Sequence, residues 1–271
     1  MKKQYLVILT LAGLFIAGSG FFRSVYSYKL LLMMPPILAG AMRGWQPLND
    51  TGITWGGNYP SGNNADCTGE EIDAQDCSHG RDTTRNDDTD GHAGFSFTKL
   101  DSNGDPLVDQ GATSWSCVQD KVTGLIWEIK TDDGGLHDKD DTYTWYSSAS
   151  SLGSADGGGA TCFGYDSNDS GTFCNTETYV ERVNATNLCG ASDWRMPTIK
   201  ELKSLVHYGR VNPAIDVAYF PNLVAVSFLF WSDSLNASNL NQAWLLHFYY
   251  GLSDVDSTSY SYEVRLVRRA N

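Results

Sequence analysis

The sequence predicts an α+β fold: antiparallel strands at both ends of the domain, two central helices, and long disulfide-tied loops. Three observations predict it. Strand-like runs fall near residues 95–129 and again near 228–268. Two helical patterns lie between them, within 178–206. All six cysteines follow residue 66 and bracket loop-like, glycine- and aspartate-rich segments.

In chain order, residues 1–43 read as a signal peptide or membrane anchor. Lys2 and Lys3 precede an apolar run from Tyr5 to Phe22. A second apolar stretch, Leu30 to Ala41, is broken by Pro35-Pro36 and is too short to span a bilayer. Ala39-Gly40-Ala41 offers a small-residue cleavage site. The segment carries five basic residues and no acidic one, so the chain without it stands at −18 against −13 for the whole. Such an acidic chain is a poor partner for nucleic acid or anionic membrane. Membrane contact is therefore expected only through the N-terminal segment.

Residues 44–93 form a polar N-terminal extension, and the main domain is expected over 94–271. Phe95 to Leu100 alternates as a strand and meets the turn Asp101-Ser102-Asn103-Gly104. Trp115 to Val118 and Leu125 to Ile129 flank Asp120-Lys121-Val122-Thr123-Gly124 and read as a hairpin. Residues 131–176 read as loop, with a short strand at Tyr143 to Tyr146. Thr178 to Leu188 has a helical apolar side. In Trp194-Arg195-Met196-Pro197-Thr198, Thr198 and Glu201 make a capping box for a helix whose apolar side is Ile199, Leu202, Leu205 and Val206. Phe228 to Ser232, Ala243 to Tyr250 and Tyr262 to Arg268 read as closing strands, separated by loops. The chain ends of the domain are expected to meet in one sheet.

An even cysteine count in an exported chain reads as disulfides, and six cysteines allow fifteen pairings. Closeness in sequence favours Cys67–Cys77 and Cys162–Cys174, which leaves Cys117–Cys189. Trp127, Trp194, Trp231, Trp244 and Arg265 are expected to be structural, with Arg195 bracing a carbonyl or carboxylate beside Thr198 and Glu201.

Catalytic patterns are scarce. The five histidines are scattered, and neither a zinc-protease helix motif, a serine elbow nor a phosphate loop occurs. Calcium is the cofactor expected, if any. Asn86, Asp88 and Asp90 place oxygens at alternate positions before Gly91, although Phe97 stands where a bidentate glutamate belongs. The pairs Phe220-Pro221-Asn222 and Trp231-Ser232-Asp233 sit at a spacing used by calcium-dependent sugar sites, but lack two of the ligands. Asn236, Asn239, Asn241, Tyr249, Tyr250, Asp254 and Tyr260 have the composition of a recognition surface: aromatic area with small adaptable polar groups.

An ordered set of short motifs resembles the Lcl C-terminal domain-like family. It comprises Trp115 with Cys117-Val118, Thr123 to Glu128, Leu188-Cys189-Gly190, Asp193 to Thr198, Glu201-Leu202 and Val264 to Arg268. The Trp-Arg-x-Pro-Thr doorway and the terminal Val-Arg-x-Val-Arg are also similar to the C-type-lectin-like and formylglycine-generating-enzyme fold. The resemblance implies an exported bacterial envelope or surface protein, adhesin-like, whose partner is a glycan or a surface protein. For the name-giving adhesin it implies sulfated polysaccharide, but this chain is strongly acidic and has no collagen-like repeat. A formylglycine-generating-type enzyme would need a reactive cysteine pair near the C-terminus, and no cysteine follows Cys189. The reading is a non-enzymatic binding domain; the alternative is a structural envelope protein anchored by its N-terminal segment.

Overall fold

The computed structural model describes residues 48–58, 62–64, 75–85, 88–223 and 229–270. The segment 1–43, Cys67 and Asn86 lie outside the described residues. Residues from Gln46 onward pack as one compact unit. Its elements run β1 (Gly56–Asn58), β2 (Gly62–Asn64), α1 (Asp76–His79), α2 (Asp82–Arg85), β3 (Phe97–Leu100), β4 (Cys117–Asp120) and β5 (Leu125–Glu128). There follow β6 (Tyr143–Thr144), β7 (Tyr146–Ser147), β8 (Leu152–Gly153), α3 (Thr176–Thr186) and α4 (Ile199–Lys203). The chain closes with β9 (Leu229–Leu235), β10 (Gln242–His247), β11 (Leu252–Ser257), β12 (Ser261–Tyr262) and β13 (Val267–Arg269).

The α+β expectation is met, and the chain ends of the domain do share a sheet. Four antiparallel strands lie in the order β13-β5-β4-β3, with Val267 opposite Trp127 and Cys117 opposite Glu128. The β4–β5 turn is set locally. Asp120 accepts the N–H groups of Val122 and Thr123, and Gly124 supplies a φ of +70° that side chains resist. A second antiparallel sheet has the order β11-β10-β9. A bridge between Phe230 and Glu263 joins β9 to the chain leading into β13.

Two apolar clusters hold these layers. One packs Phe97, Val118 and Trp127 against Leu202, Leu205, Phe220, Phe230 and Phe248. The other gathers Tyr143, Trp145, Tyr179, Trp194 and Trp231 around both loop disulfides. Cys117–Cys189 and Cys162–Cys174 are both formed. Cys77 is disulfide-bonded as well, and the half expected opposite it, Cys67, lies outside the described residues.

Several expectations need correction. Residues 252–257, read as loop, form β11, and β10 ends at His247 rather than Tyr250. The 178–188 helix is shifted to Thr176–Thr186, because Asn175 caps it through the Thr178 N–H and Asn187 ends it at φ 56°. Trp244 is only half-buried. The polar N-terminal extension carries the β1–β2 pair and two one-turn helices. It also docks on the domain, where Tyr208 donates its N–H to the Thr51 carbonyl at 2.7 Å.

Candidate functional site

The helix doorway is built as a brace. Thr198 and Glu201 form the reciprocal capping box of α4. Arg195 grips both Glu201 oxygens, at 2.8 and 2.6 Å. Burial pushes the Glu201 carboxyl up, but the Arg195 guanidinium and the Thr198 N–H prevail and hold it below the usual range. Trp194 is buried and donates its indole N–H to the Leu188 carbonyl. Cys189 staples the segment to β4. The doorway then reaches β9: Asp233 donates its N–H to the Pro197 carbonyl at 2.8 Å, and Ile199 donates to Ser234 Oγ at 3.1 Å.

Behind it lies a buried ionic cluster. Glu128, on β5, is wholly buried; its Oε1 receives Lys130 Nζ, His137 Nδ1 and the Tyr179 hydroxyl, and its Oε2 receives the Leu266 N–H at 2.8 Å. Burial alone would raise its carboxyl, but Lys130 and His137 reverse that and hold it at about 2. Arg265 donates to the Glu128 carbonyl at 2.7 Å and lies over the rings of Phe220 and Phe230. Burial lowers its guanidinium to about 10. Glu128 and Lys130 gave no signal in sequence, where Leu-Ile-Trp-Glu-Ile-Lys reads as an ordinary strand. Only the paired register buries both.

The acidic loop residues are occupied by protein partners. Asp88 pairs with His92 at 3.1 Å. Asp90 accepts Ser96 Oγ at 2.7 Å and Lys121 Nζ at 2.6 Å, so an incoming cation would compete with an ammonium group. Among the acidic residues of the 132–141 loop, Asp138 accepts the N–H groups of Asp133 and Gly134, while Lys139 bridges Asp132 and Asp140. Among the described residues no three or more His, Cys, Asp or Glu side chains are grouped to hold a metal ion.

The candidate recognition residues divide between the two ends of the three-stranded sheet. Asn236, Asn239 and Asn241 lie in the β9–β10 loop. Tyr260 follows β11 at the same end, where the Thr258 N–H donates to the Asn241 carbonyl. Here the asparagine side chains hold their own turn: Asn236 Oδ1 accepts the Ser238 N–H and Asn239 Oδ1 the Asn241 N–H. Tyr249 and Tyr250 lie past the far end of β10, roughly 20 Å away at the rise of a β-strand. Asp254 stands between, on β11, opposite Leu245.

The far end is the aromatic one. His247 stacks on Tyr250 at 5.5 Å, and Tyr249 meets Tyr250 edge-on at 4.4 Å. Tyr250 is 57 % exposed and Leu252 61 %. Tyr208 approaches from the other side, close to Gly251, and is 43 % exposed. The result is an open platform of ring faces and hydroxyls, with the Asn212 N–H bonded to the Tyr249 carbonyl beneath it. His247 and Tyr208 were not among the residues expected there; their spacing from Tyr250 carried no sequence signal.

The sheet pairing, the disulfide-stapled doorway and the terminal arginine strand together define a disulfide-bonded α+β domain with open loops at both ends of its C-terminal sheet. The sequence model of the family described as Lcl C-terminal domain matches residues 116–268, more than half of the chain. The chain belongs to that family. No curated protein and no solved structure matches it significantly. No helix among the described residues is long and apolar enough to cross a membrane.

Proposed function

We propose that this is an exported, non-catalytic binding domain of adhesin type, that its fold is C-type-lectin-like, and that it recognises a glycan at the Tyr249–Tyr250 platform. The observation that carries the reading is that platform: the solvent-open Tyr250 ring, stacked on His247 and met edge-on by a partly buried Tyr249, at the end of the three-stranded sheet. Sugar rings present C–H faces that stack on aromatic faces, while phenol hydroxyls and the imidazole supply hydrogen bonds. Family membership supports a surface role, and the formed disulfides are consistent with an oxidising compartment. The C-type-lectin-like reading rests on the chain ends paired through β13 and β5, with both longer helices between them.

A catalytic role is not proposed. The most strongly perturbed carboxylate, Glu128, is enclosed and fully engaged by four protein donors. Recognition at the platform rests on ring faces rather than a carboxylate cage, so calcium is not expected to be required.

The test is a glycan array probed in calcium and in EDTA. Binding that survives EDTA is the expected outcome. Binding lost in EDTA would move the site to the Asp88/Asp90 loop, and binding in neither buffer would leave a surface protein as the partner class.

A further inference from the structure

A cleft of ≈ 440 Å³ opens at the other end of the same sheet, away from the platform. Three elements pin it. The Trp145 indole N–H donates to the Ser232 carbonyl on β9 at 2.9 Å. The Thr176 hydroxyl, at the start of α3, takes the Tyr146 N–H and gives to the Tyr146 carbonyl, both at 3.0 Å. The doorway holds β9 through the Asp233–Pro197 hydrogen bond. Trp145, Tyr146, Val180, Met196 and Leu235 make its apolar walls, and Asp233 and Glu177 are its charged groups.

The two carboxylates differ in state. Glu177 is fixed at the rim by the Ser148 N–H at 2.6 Å and the Ser148 hydroxyl at 2.5 Å. Asp233 reaches solvent at the cleft mouth, and its only side-chain partner among the described residues is Ser234, at 3.3 Å. The nearest guanidinium, Arg195, is already committed to Glu201. Although Asp233 is exposed, partial desolvation raises its carboxyl above its ordinary value, against the pull of Ser234 and Arg195. The cleft thus offers a solvent-facing carboxylate with no side-chain ion pair of its own among the described residues, a second carboxylate held at its rim, and aromatic and thioether surface to bury an aliphatic or ring portion. No cationic side chain lines it. An anion entering it would meet two like charges. The larger cleft beside Tyr219, by contrast, has its charges matched internally: Arg210 with Asp216, Asp88 with His92, and Lys99 over the Trp115 ring.

We propose that the cleft bounded by Trp145, Tyr146, Met196, Asp233 and Glu177 binds an organic ammonium or guanidinium group, with its cation on Asp233 and its carbon skeleton on the aromatic wall. The chemistry is shared by a lysine or arginine side chain of a partner protein and by the protonated amine of an amino sugar. The site is separate from the Tyr249–Tyr250 platform, so failure of either leaves the other standing.

The experiment is calorimetric titration of the full chain with two probe pairs. One pair is a glucosamine oligomer and its fully N-acetylated counterpart. The other is a lysine-containing peptide and the same peptide with acetylated lysines. The expected result is binding by at least one charged probe and at least a tenfold loss for its acetylated partner. Which charged probe binds identifies the source. Asp233→Asn should weaken binding at least fivefold at unchanged Tm, while Glu181→Gln, an equal charge change at an exposed position of α3, should leave it unaltered. Absence of binding by both charged probes, equal binding by acetylated ones, or equal effects of the two substitutions would overturn the proposal.

Discussion

At position 207 an imidazole sits where water does not reach. His207 is 2 % exposed, stacks on His92 at 5.1 Å and on Phe95 at 5.8 Å, and neither ring nitrogen has a hydrogen-bond partner among the described residues. Burial first, then the positive charge of Arg210 and the neighbouring His92, depress it to about 4; Asp216 pulls weakly the other way. Between about 4 and its unfolded value near 6.5 the unfolded chain binds the extra proton. This residue therefore leaves stability intact above pH 6.5 and erodes it as pH falls toward 4, by up to about 3 kcal/mol at about 1.4 kcal/mol per pH unit. Denaturant unfolding across pH 4–7 should show that slope, and His207→Phe should flatten it. Equal slopes in the two proteins would show that another group titrates. The neighbouring Gly52 closes against this ring, so loss of His207 packing should also loosen the docked N-terminal segment.

At the scale of elements, the buried cluster ties three pieces of chain that are far apart in sequence. Glu128 on β5 meets Tyr179 on α3, and its main chain receives Arg265 just before β13. Removing its carboxylate leaves Lys130 and Arg265 as uncompensated buried cations. Glu128→Ala is expected to cost about 3–5 kcal/mol in denaturant unfolding; a loss below about 1 kcal/mol would mean the cations find other partners. How legible an element was depended on how local its causes are. The α4 cap was readable because Thr198 and Glu201 are three residues apart, and the β4–β5 hairpin because its turn chemistry sits in one pentapeptide. The Cys117–Cys189 staple was readable by elimination once two close pairs were assigned. The β11 strand was not. Its Leu-Ser-Asp-Val-Asp-Ser pattern looks like loop because it is an edge strand. Asp254 and Asp256 each accept the next residue's N–H, at Val255 and Ser257, which blunts the open edge. The Glu128 cluster was equally hidden, since its meaning arises only when β13 lies on β5.

For the whole molecule, the division of the candidate recognition residues matters most. Composition pointed to a Tyr/Asn/Ser-rich C-terminal region as the recognition surface, but it could not say that β10 would carry Asn236, Asn239 and Asn241 to one end and Tyr249 and Tyr250 to the other. At one end the asparagines serve their own turn; at the other the rings stand open. The domain thus has a rigid sheet as its frame, with an aromatic platform at one end and an acidic, aromatic cleft at the other. On the proposed reading, this strongly acidic chain engages uncharged sugar faces at the first end and cationic groups at the second. The central claim is that Tyr250 binds ligand at the platform without contributing to the fold. The measurement that tests it most directly is glycan binding by Tyr250→Ala, read beside its melting curve. The account predicts at least a tenfold loss of binding with Tm unchanged, because Tyr250 is 57 % exposed. Full binding by that variant would contradict it.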